Sequence, residues 1–497
     1  MEQSKNSVAS NFLYSLFIIL IIGIVNLGYP LLIGLLYSPE TMGNFSILFN
    51  WSFFLAIPIA NGIAPAISRF IAASTGNETS QLNRLGEKLT IFYIILAMII
   101  FPLIGVFLFH LTIYDFLIVM FMLVAILFHY LFRYSLQGQE RFRRLFKLEL
   151  IAFAFFIPFM ILFGVLPNVL GWTSLLNLHW LFLPIIMYHV IFDILFFFIE
   201  IKRINLKKIF SFPEITKKIL LYALLVGAGS LFSLGISQFQ IIISDNYLGE
   251  FEVGVLGFWD SAIKPISLIS VAIGALTVPR ITNLRKSEER HDIPFVNSMN
   301  YGLTLLLMPL FGLVFLIIAG FPNIFDYLGI AKYQTSTYWW IPILLGYQIL
   351  NNLLATPTIS FYSSSEKKVI VNPIVSFVYS LIVILSWLLL VPKWGIWGFA
   401  SGIAIGSLFF SFLIQIIVLF MTKGKIGLHL ILSFIFTLLG VGSVFLLQYT
   451  LMDWLVIMVW TLLLVPSIVF GIRTIVKVLK NKDYSTVFHE LPDSLEK

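Results

Sequence analysis

Uninterrupted apolar runs recur along the whole chain, and they constrain it more than any motif does. Residues 16–24 contain no charged or amide side chain, and residues 381–391 are interrupted only by Ser386. About 20 such residues in a helix cross the ~30 Å hydrocarbon core of a bilayer. Of the 497 residues, 59% are hydrophobic and 11% are charged, and the mean hydropathy is +0.99. Soluble domains carry roughly 25% charged residues, so this chain cannot clothe a water-facing surface. A soluble enzyme and a single-anchor receptor are excluded. An outer-membrane barrel is excluded too, because its strands alternate apolar and polar residues. With no cysteine, disulfides, thiolate metal sites and thiol catalysis are also excluded.

The arithmetic leaves room for about fourteen spans. They read as residues 12–36, 45–70, 89–109, 116–136, 148–166, 178–199, 219–243, 253–278, 296–319, 338–361, 369–391, 396–421, 428–449 and 454–476. Pro30, Pro58, Pro65, Pro158, Pro265 and Pro357 fall inside them and are expected to kink or loosen the helices. No small-residue cleavage site follows the first run, which therefore reads as a retained helix rather than a signal peptide.

The net charge of +7 resembles a nucleic-acid signature only until the charges are placed. With the N-terminus inside, nearly all Lys and Arg fall in cytoplasmic stretches or at helix ends. Examples are Arg141, Arg143, Arg144 and Lys147, then Lys202, Arg203, Lys207 and Lys208. The outer loops hold only Lys332 and Lys393, beside the acids Glu40, Asp115, Asp245, Glu250, Glu252, Asp326 and Asp453. This positive-inside pattern implies an even number of spans with both termini cytoplasmic, and no nucleic-acid partner.

An internal repeat is expected, as in many transporters. Gly43 opens the second segment and Arg69 closes it; Gly254 opens the eighth and Arg280 closes it. Each pair is 26 positions apart, so the offset between them is 211 at both ends. Segments 1–6 then match 7–12, the halves sharing one orientation about an axis along the membrane normal. The rival reading is that two helices begin with Gly and end with Arg by chance.

Several stretches resemble a known family. They are Tyr37-Ser-Pro-Glu-Thr-Met-Gly43-Asn-Phe, Gly62-Ile-Ala-Pro-Ala-Ile-Ser-Arg69-Phe-Ile-Ala and Leu136-Gln-Gly-Gln-Glu-Arg-Phe142. Asp245 through Glu252-Val-Gly254 to Val278-Pro-Arg280, and Pro392-Lys-Trp-Gly395-Ile-Trp-Gly398-Phe-Ala, complete the set. Over about residues 10–425 the chain resembles polysaccharide and oligosaccharide flippases of the multidrug/oligosaccharidyl-lipid/polysaccharide exporter superfamily. The resemblance implies an all-α polytopic membrane protein with two pseudo-symmetric six-helix lobes, residues 1–205 and 206–425. Two C-terminal helices (426–480) and a cytoplasmic tail (481–497) follow. It implies a central cavity lined largely by helices 1, 2, 7 and 8, and alternating access of a lipid-linked sugar in the cytoplasmic membrane. The partners implied are a lipid-linked oligosaccharide, membrane lipids, and glycan polymerases or glycosyltransferases.

Ionisable groups inside hydrocarbon are costly unless paired or hydrated. Apart from histidines, Asp193, Asp260 and Lys264 lie well within the expected helices. Asp260 and Lys264 are spaced i,i+4 and share a face. They read either as a cavity pair, with Lys264 meeting an anionic substrate group and Asp260 holding it or exchanging a proton, or as a buried pair fixing helix packing. Arg69 and Arg280 could attract a pyrophosphate bidentately or simply anchor cytoplasmic helix ends. Asp193 reads as an ion-coupling site, a partner of a cytoplasmic Lys, or a snorkelling acid. Asn50 and Gln238, with Asn26, Asn61, Gln240 and Asn300, read equally as sugar ligands or as interhelical glue.

His110, His129, His179 and His189 form no metal-ligand pair at helical spacing, and a relay role for any of them is a weak reading. No catalytic residue, metal site or cofactor is expected, and no Gly-x-x-x-x-Gly-Lys loop for ATP is present. The rivals are a lipid II flippase, a multidrug cation antiporter and a membrane glycosyltransferase or polymerase. The first typically carries an arginine in its first helix, which is uncharged here. The second usually has acidic cavity residues. The third needs large, charged outer loops.

Overall fold

The computed structural model describes residues 2–74, 77–109, 111–171, 178–200, 216–270, 273–274, 277, 281, 292–320, 329–333, 340–363, 370–422, 435 and 453–480. The regular elements among them are all helical. Nine helices are long and apolar enough to cross a membrane among the described residues, as expected of a multi-pass membrane protein. They include α1 (Leu13–Leu36), α2 (Pro39–Ala72), α3 (Glu78–Gly105), α4 (Ile113–Gly138), α5 (Phe142–Val169), α6 (Leu178–Phe198) and α7 (Lys217–Ser244). The chain continues with α8 (Glu250–Ile263), α9 (Asp292–Gly320), α10 (Trp340–Ser363), α11 (Val371–Trp394), α12 (Ile396–Thr422) and α13 (Asp453–Lys480). α13 corresponds to the fourteenth expected segment. The thirteenth, 428–449, lies outside the described residues apart from Ile435, as does the tail 481–497.

The helix ends follow from local chemistry. Pro39 occupies the first turn of α2, and the Ser38 hydroxyl accepts from the Thr41 N–H at 3.4 Å. At the start of α4, the Thr112 hydroxyl accepts from the Asp115 N–H at 3.2 Å, and Asp115 accepts from the Thr112 N–H at 3.0 Å. This reciprocal box satisfies two amide groups that the helix cannot. Between α11 and α12 the chain reverses at Gly395, whose φ of 52° is a conformation that side chains with a Cβ rarely adopt.

Four of the prolines expected to kink helices sit at widened π-helical turns: Pro30 just after Ile24–Gly28, Pro58 and Pro65 at the start and just past the end of Pro58–Ile63, and Pro158 just before Met160–Val165. A proline lacks the amide hydrogen and clashes with the preceding turn, and an extra residue per turn relieves both. Pro265 instead lies in a tight 3-10 turn, Lys264–Ile266, at the end of α8. Pro357 lies inside α10, which stays α-helical through it.

By packing, the chain divides into two compact units, Met1–Pro265 with Leu389–Phe399, and Ile266–Leu388 with Ala400–Lys497. The lobe boundary expected at 205/206 concerns the internal repeat rather than packing, and falls within undescribed residues 201–215. In the first unit, Phe45 stacks on Phe182 with ring centroids 4.6 Å apart, and the Tyr29 hydroxyl donates to the Leu181 carbonyl at 2.7 Å. A buried tyrosine keeps its apolar body in the core only if its hydroxyl finds such a partner. In the second unit, α13 lies along α9 through Gly302 and Gly471, and Trp460 fills the space beside Gly312. Small residues let helix backbones approach in this way within a membrane.

Large apolar side chains stand exposed on the outside of the helices, among them Phe92, Phe198 and Leu389. In water such a surface would aggregate; facing lipid it is at equilibrium. The interior holds very few ionisable groups, which is why each of them is informative.

Candidate functional site

The expected pair forms. Asp260 is 6% exposed near the end of α8, and Lys264 in the following 3-10 turn makes an ion pair with its Oδ2. α8 reaches this position by packing closely on α2. A Cβ on Gly43 would lie 2.5 Å from the Glu250 carbonyl oxygen, and Gly257 sits directly on the Ser46 side chain. Phe258 covers Gly34 of α1. The pair is therefore held on a helix wedged against α1 and α2, not on a mobile loop. Breaking it by removing one partner would strand a buried charge.

Arg69, near the end of α2, lies with its guanidinium 4.5 Å from the centroid of the Tyr222 ring on α7. Its backbone approach is set by Gly62, whose Cβ would lie 3.0 Å from the Ala223 carbonyl. Arg280 lies outside the described residues. Asn50 is buried on α2; its Nδ2 donates to the Ser46 carbonyl at 2.7 Å, while its Oδ1 has no protein partner. Gln238 on α7 likewise leaves its Oε1 without a protein partner. α2 and α7 meet beside these amides, Phe54 against Phe239 with centroids 5.8 Å apart. Asn300 donates from Nδ2 to Thr358 Oγ1 at 2.9 Å between α9 and α10, and its Oδ1 too has no protein partner.

Asp193 on α6 is placed differently from Asp260. Its Oδ1 is buried without a protein partner, and it lies within electrostatic reach of Glu149 on α5. Glu149 was invisible to the sequence reading. The apolar run starts at 148, which puts Glu149 at its edge behind Arg143, Arg144 and Lys147. The helix in fact starts at Phe142, which carries Glu149 two turns in, where it is fully buried. The signal that could have found it is the helix start itself, since Gly138 and the turn after it end the preceding helix.

No family model matches the sequence, and no curated protein matches it. Solved structures do. The chain is similar to a lipid II flippase, MurJ, in an inward closed conformation, with a TM-score of 0.59 and 15% identity over 95% of this chain and 100% of that one. It is similar to an inward-facing multidrug resistance MATE family transporter of the MOP superfamily, with a TM-score of 0.50 and 15% identity over 81% of this chain and 100% of that one. A MATE transporter in a bent conformation gives a TM-score of 0.50 and 14% identity, over 84% and 96% of the two chains. At these identities the likeness is one of fold. The chain has the fold of membrane flippases and transporters, and the fold does not decide the substrate.

Proposed function

We propose that the chain is a flippase that moves a polyprenyl-pyrophosphate-linked oligosaccharide across the cytoplasmic membrane, for surface polysaccharide or cell-wall assembly. It would act by alternating access of two lobes and is not an enzyme. The observation that carries this reading is the buried Asp260–Lys264 ion pair on a helix of a transporter fold. A buried pair costs desolvation that its own attraction offsets only narrowly. An arriving diphosphate can therefore displace Asp260 from Lys264 at little net cost. The freed Asp260 carboxylate then takes a proton or another cation, which ties substrate binding to charge. Arg69 and Arg280 would gather the pyrophosphate at the cytoplasmic ends of their helices, Asn50 and Gln238 would meet sugar hydroxyls, and Asp193 would take part in ion coupling. Glycan polymerases and glycosyltransferases are the partners this role calls for.

A lipid II flippase is the second reading. It is favoured by the similarity to MurJ running through the whole of that chain and 95% of this one, whereas the MATE transporters cover 81% and 84%. Against it stands the uncharged first helix. The test is translocation in reconstituted vesicles of three probes, a polyprenyl-pyrophosphate oligosaccharide, lipid II and a lipophilic cation. Transport of the first alone supports the proposal. Transport of lipid II alone selects the second reading, and transport of the cation alone overturns both.

A further inference from the structure

Away from the Asp260–Lys264 pair, the first unit buries a second set of ionisable groups between α4, α5 and α6. Glu149 is completely buried. Its Oε1 lies 3.2 Å from His129 Nε2, and its Oε2 accepts a hydrogen bond from the Tyr188 hydroxyl. His189 lies edge-on to His129, ring centroids 4.7 Å apart, and is itself 1% exposed. Neither ring nitrogen of His189 has a protein partner, nor has Nδ1 of His129 or Oδ1 of Asp193. Phe192 closes the other face of His129, with centroids 4.1 Å apart.

A buried polar group is ordinarily hydrogen-bonded, because leaving it bare costs about 1–3 kcal/mol. Four unused polar atoms around one buried carboxylate are therefore hard to explain as a settled structural network. They are what a site with two hydrogen-bonding states looks like in one of them. The groups facing Glu149 are His129 and Tyr130 on α4 and Tyr188 and Asp193 on α6; Arg133 on α4 reaches Tyr130 and Tyr188, and His189 on α6 reaches His129. α1, which also packs on α5, carries no ionisable residues between 12 and 36 except Tyr14 and Tyr29. Tyr14 lies against Phe146, and the Tyr29 hydroxyl is committed to the Leu181 carbonyl. His129, His189, Glu149 and Asp193 can each take or release a proton without any other bond changing, so a proton is the occupant that these bare atoms fit. A metal ion is the poorer occupant, since among the described residues no three such side chains converge on one point.

We propose that the Glu149–His129 pair, with His189 and Asp193 beside it, is a proton-binding site inside the first unit. The proposal rests on the transport reading only for what the proton is coupled to. Neutral His129 donates its Nε2–H to Glu149 Oε1; the added proton enters from solvent on one side, is held on the Glu149 carboxyl or at His129 Nδ1, which has no protein partner, and leaves to solvent on the other. No other bond is made or broken. A protonated Glu149 carboxyl is itself a donor, which frees the Tyr188 hydroxyl that donates to it to change partner. Tyr188 and His189 are adjacent on α6, so the change reaches the packing of α6 on α4 and α5.

The test begins without substrate. Infrared difference spectra between high and low pH are recorded on the purified full-length protein in lipid nanodiscs, for wild type, Glu149→Gln and His189→Phe. Wild type is expected to show a protonated-carboxyl band rising together with histidine-ring bands, and Glu149→Gln to lose both. An unchanged spectrum in Glu149→Gln overturns the proposal. His189→Phe removes no hydrogen bond, so it keeps the test alive should Glu149→Gln fail to fold. It is expected to move the midpoint of the carboxyl band by roughly tenfold in proton concentration, and an unmoved midpoint overturns the proposal. In vesicles, a pH gradient is expected to speed translocation of a polyprenyl-pyrophosphate oligosaccharide by wild type but not by Glu149→Gln, whose exchange without a gradient persists. Equal stimulation of the two proteins overturns the proposal. A wild type that transports none of the lipid-linked probes sinks the flippase reading alone, while the infrared result still decides the proton site.

Discussion

Gly43 and Gly254 pack directly on each other's helices: the space a Cβ would need on Gly43 holds the Glu250 carbonyl oxygen and the Gly254 amide, and on Gly254 it holds the Pro39 carbonyl. The two glycines are partners under the 211-residue offset. Adding a methyl group at Gly254 should force α2 and α8 apart. Overpacking of this kind typically costs about 1–3 kcal/mol and sometimes more. Gly254→Ala is therefore expected to melt well below wild type in detergent. Gly28→Ala, whose new Cβ would meet only Ile24 at 3.9 Å, is expected to match wild type. Equal melting of all three proteins would show that the helices have room the geometry denies.

The Asp260–Lys264 pair separates stability from transport. Lys264→Ala leaves Asp260 buried without its partner, which usually costs about 3–5 kcal/mol, so both melting temperature and export should fall. Replacing both residues by apolar ones of similar size, Asp260→Leu with Lys264→Met, removes the stranded charge and is expected to restore the melting temperature. Export should stay lost, because Lys264, the cation that takes the diphosphate in place of Asp260, is gone. Surface polysaccharide measured alongside membrane abundance checks both halves. Normal export by the double variant would reduce the pair to a packing device.

Arg69 over Tyr222 offers a smaller and more exposed interaction. A cation above an aromatic face is worth about 0.5–1 kcal/mol at such sites. Tyr222→Leu should lower stability by no more than that, and its transport should stay close to wild type. Arg69→Gln should instead weaken substrate affinity, since a diphosphate loses a bidentate donor. The comparison is made as KM and maximal rate in vesicles. A variant pair with identical kinetics would leave Arg69 as an anchor of the helix end.

Most of the fold was legible because a bilayer leaves few choices for long apolar runs, and most helices begin and end within a few residues of them; α3 instead starts at Glu78, well before residue 89, and α8 ends at Ile263, well before residue 278. The Asp260–Lys264 contact was legible because i,i+4 partners on one helix meet wherever the helix goes. Pro58 and Pro158 announced distortion, though not its form as an extra residue per turn. Glu149 was not legible, since hydropathy began the fifth segment late and a basic stretch hid the true start of the helix. His129 and His189 are 60 positions apart, so no local spacing could pair them; only the packing of α4 on α6 brings their rings together. The docking of α13 along α9 was equally silent, because Gly302 and Gly471 each look like one glycine among many.

Asp245 gives the pH dependence of stability a definite sign. It lies in the turn between α7 and α8, where burial pushes its carboxyl above the ordinary carboxylate range and the nearby Glu250 adds to the effect. An acid whose pKa is higher in the folded protein binds its proton more tightly there than in the unfolded chain. Its ionisation therefore works against folding above the raised value, and the penalty vanishes at pH values low enough to protonate it in both states. Asp245→Asn removes the charge at little cost in size. It is expected to melt above wild type at neutral pH, with the gap closing as the pH falls through the carboxylate range. Melting curves of the two proteins in the same detergent, followed from neutral to acid pH, check this. A gap that is absent at neutral pH, or that widens on acidification, would mean that Asp245 is stabilised as an anion and that the turn holds a partner for it.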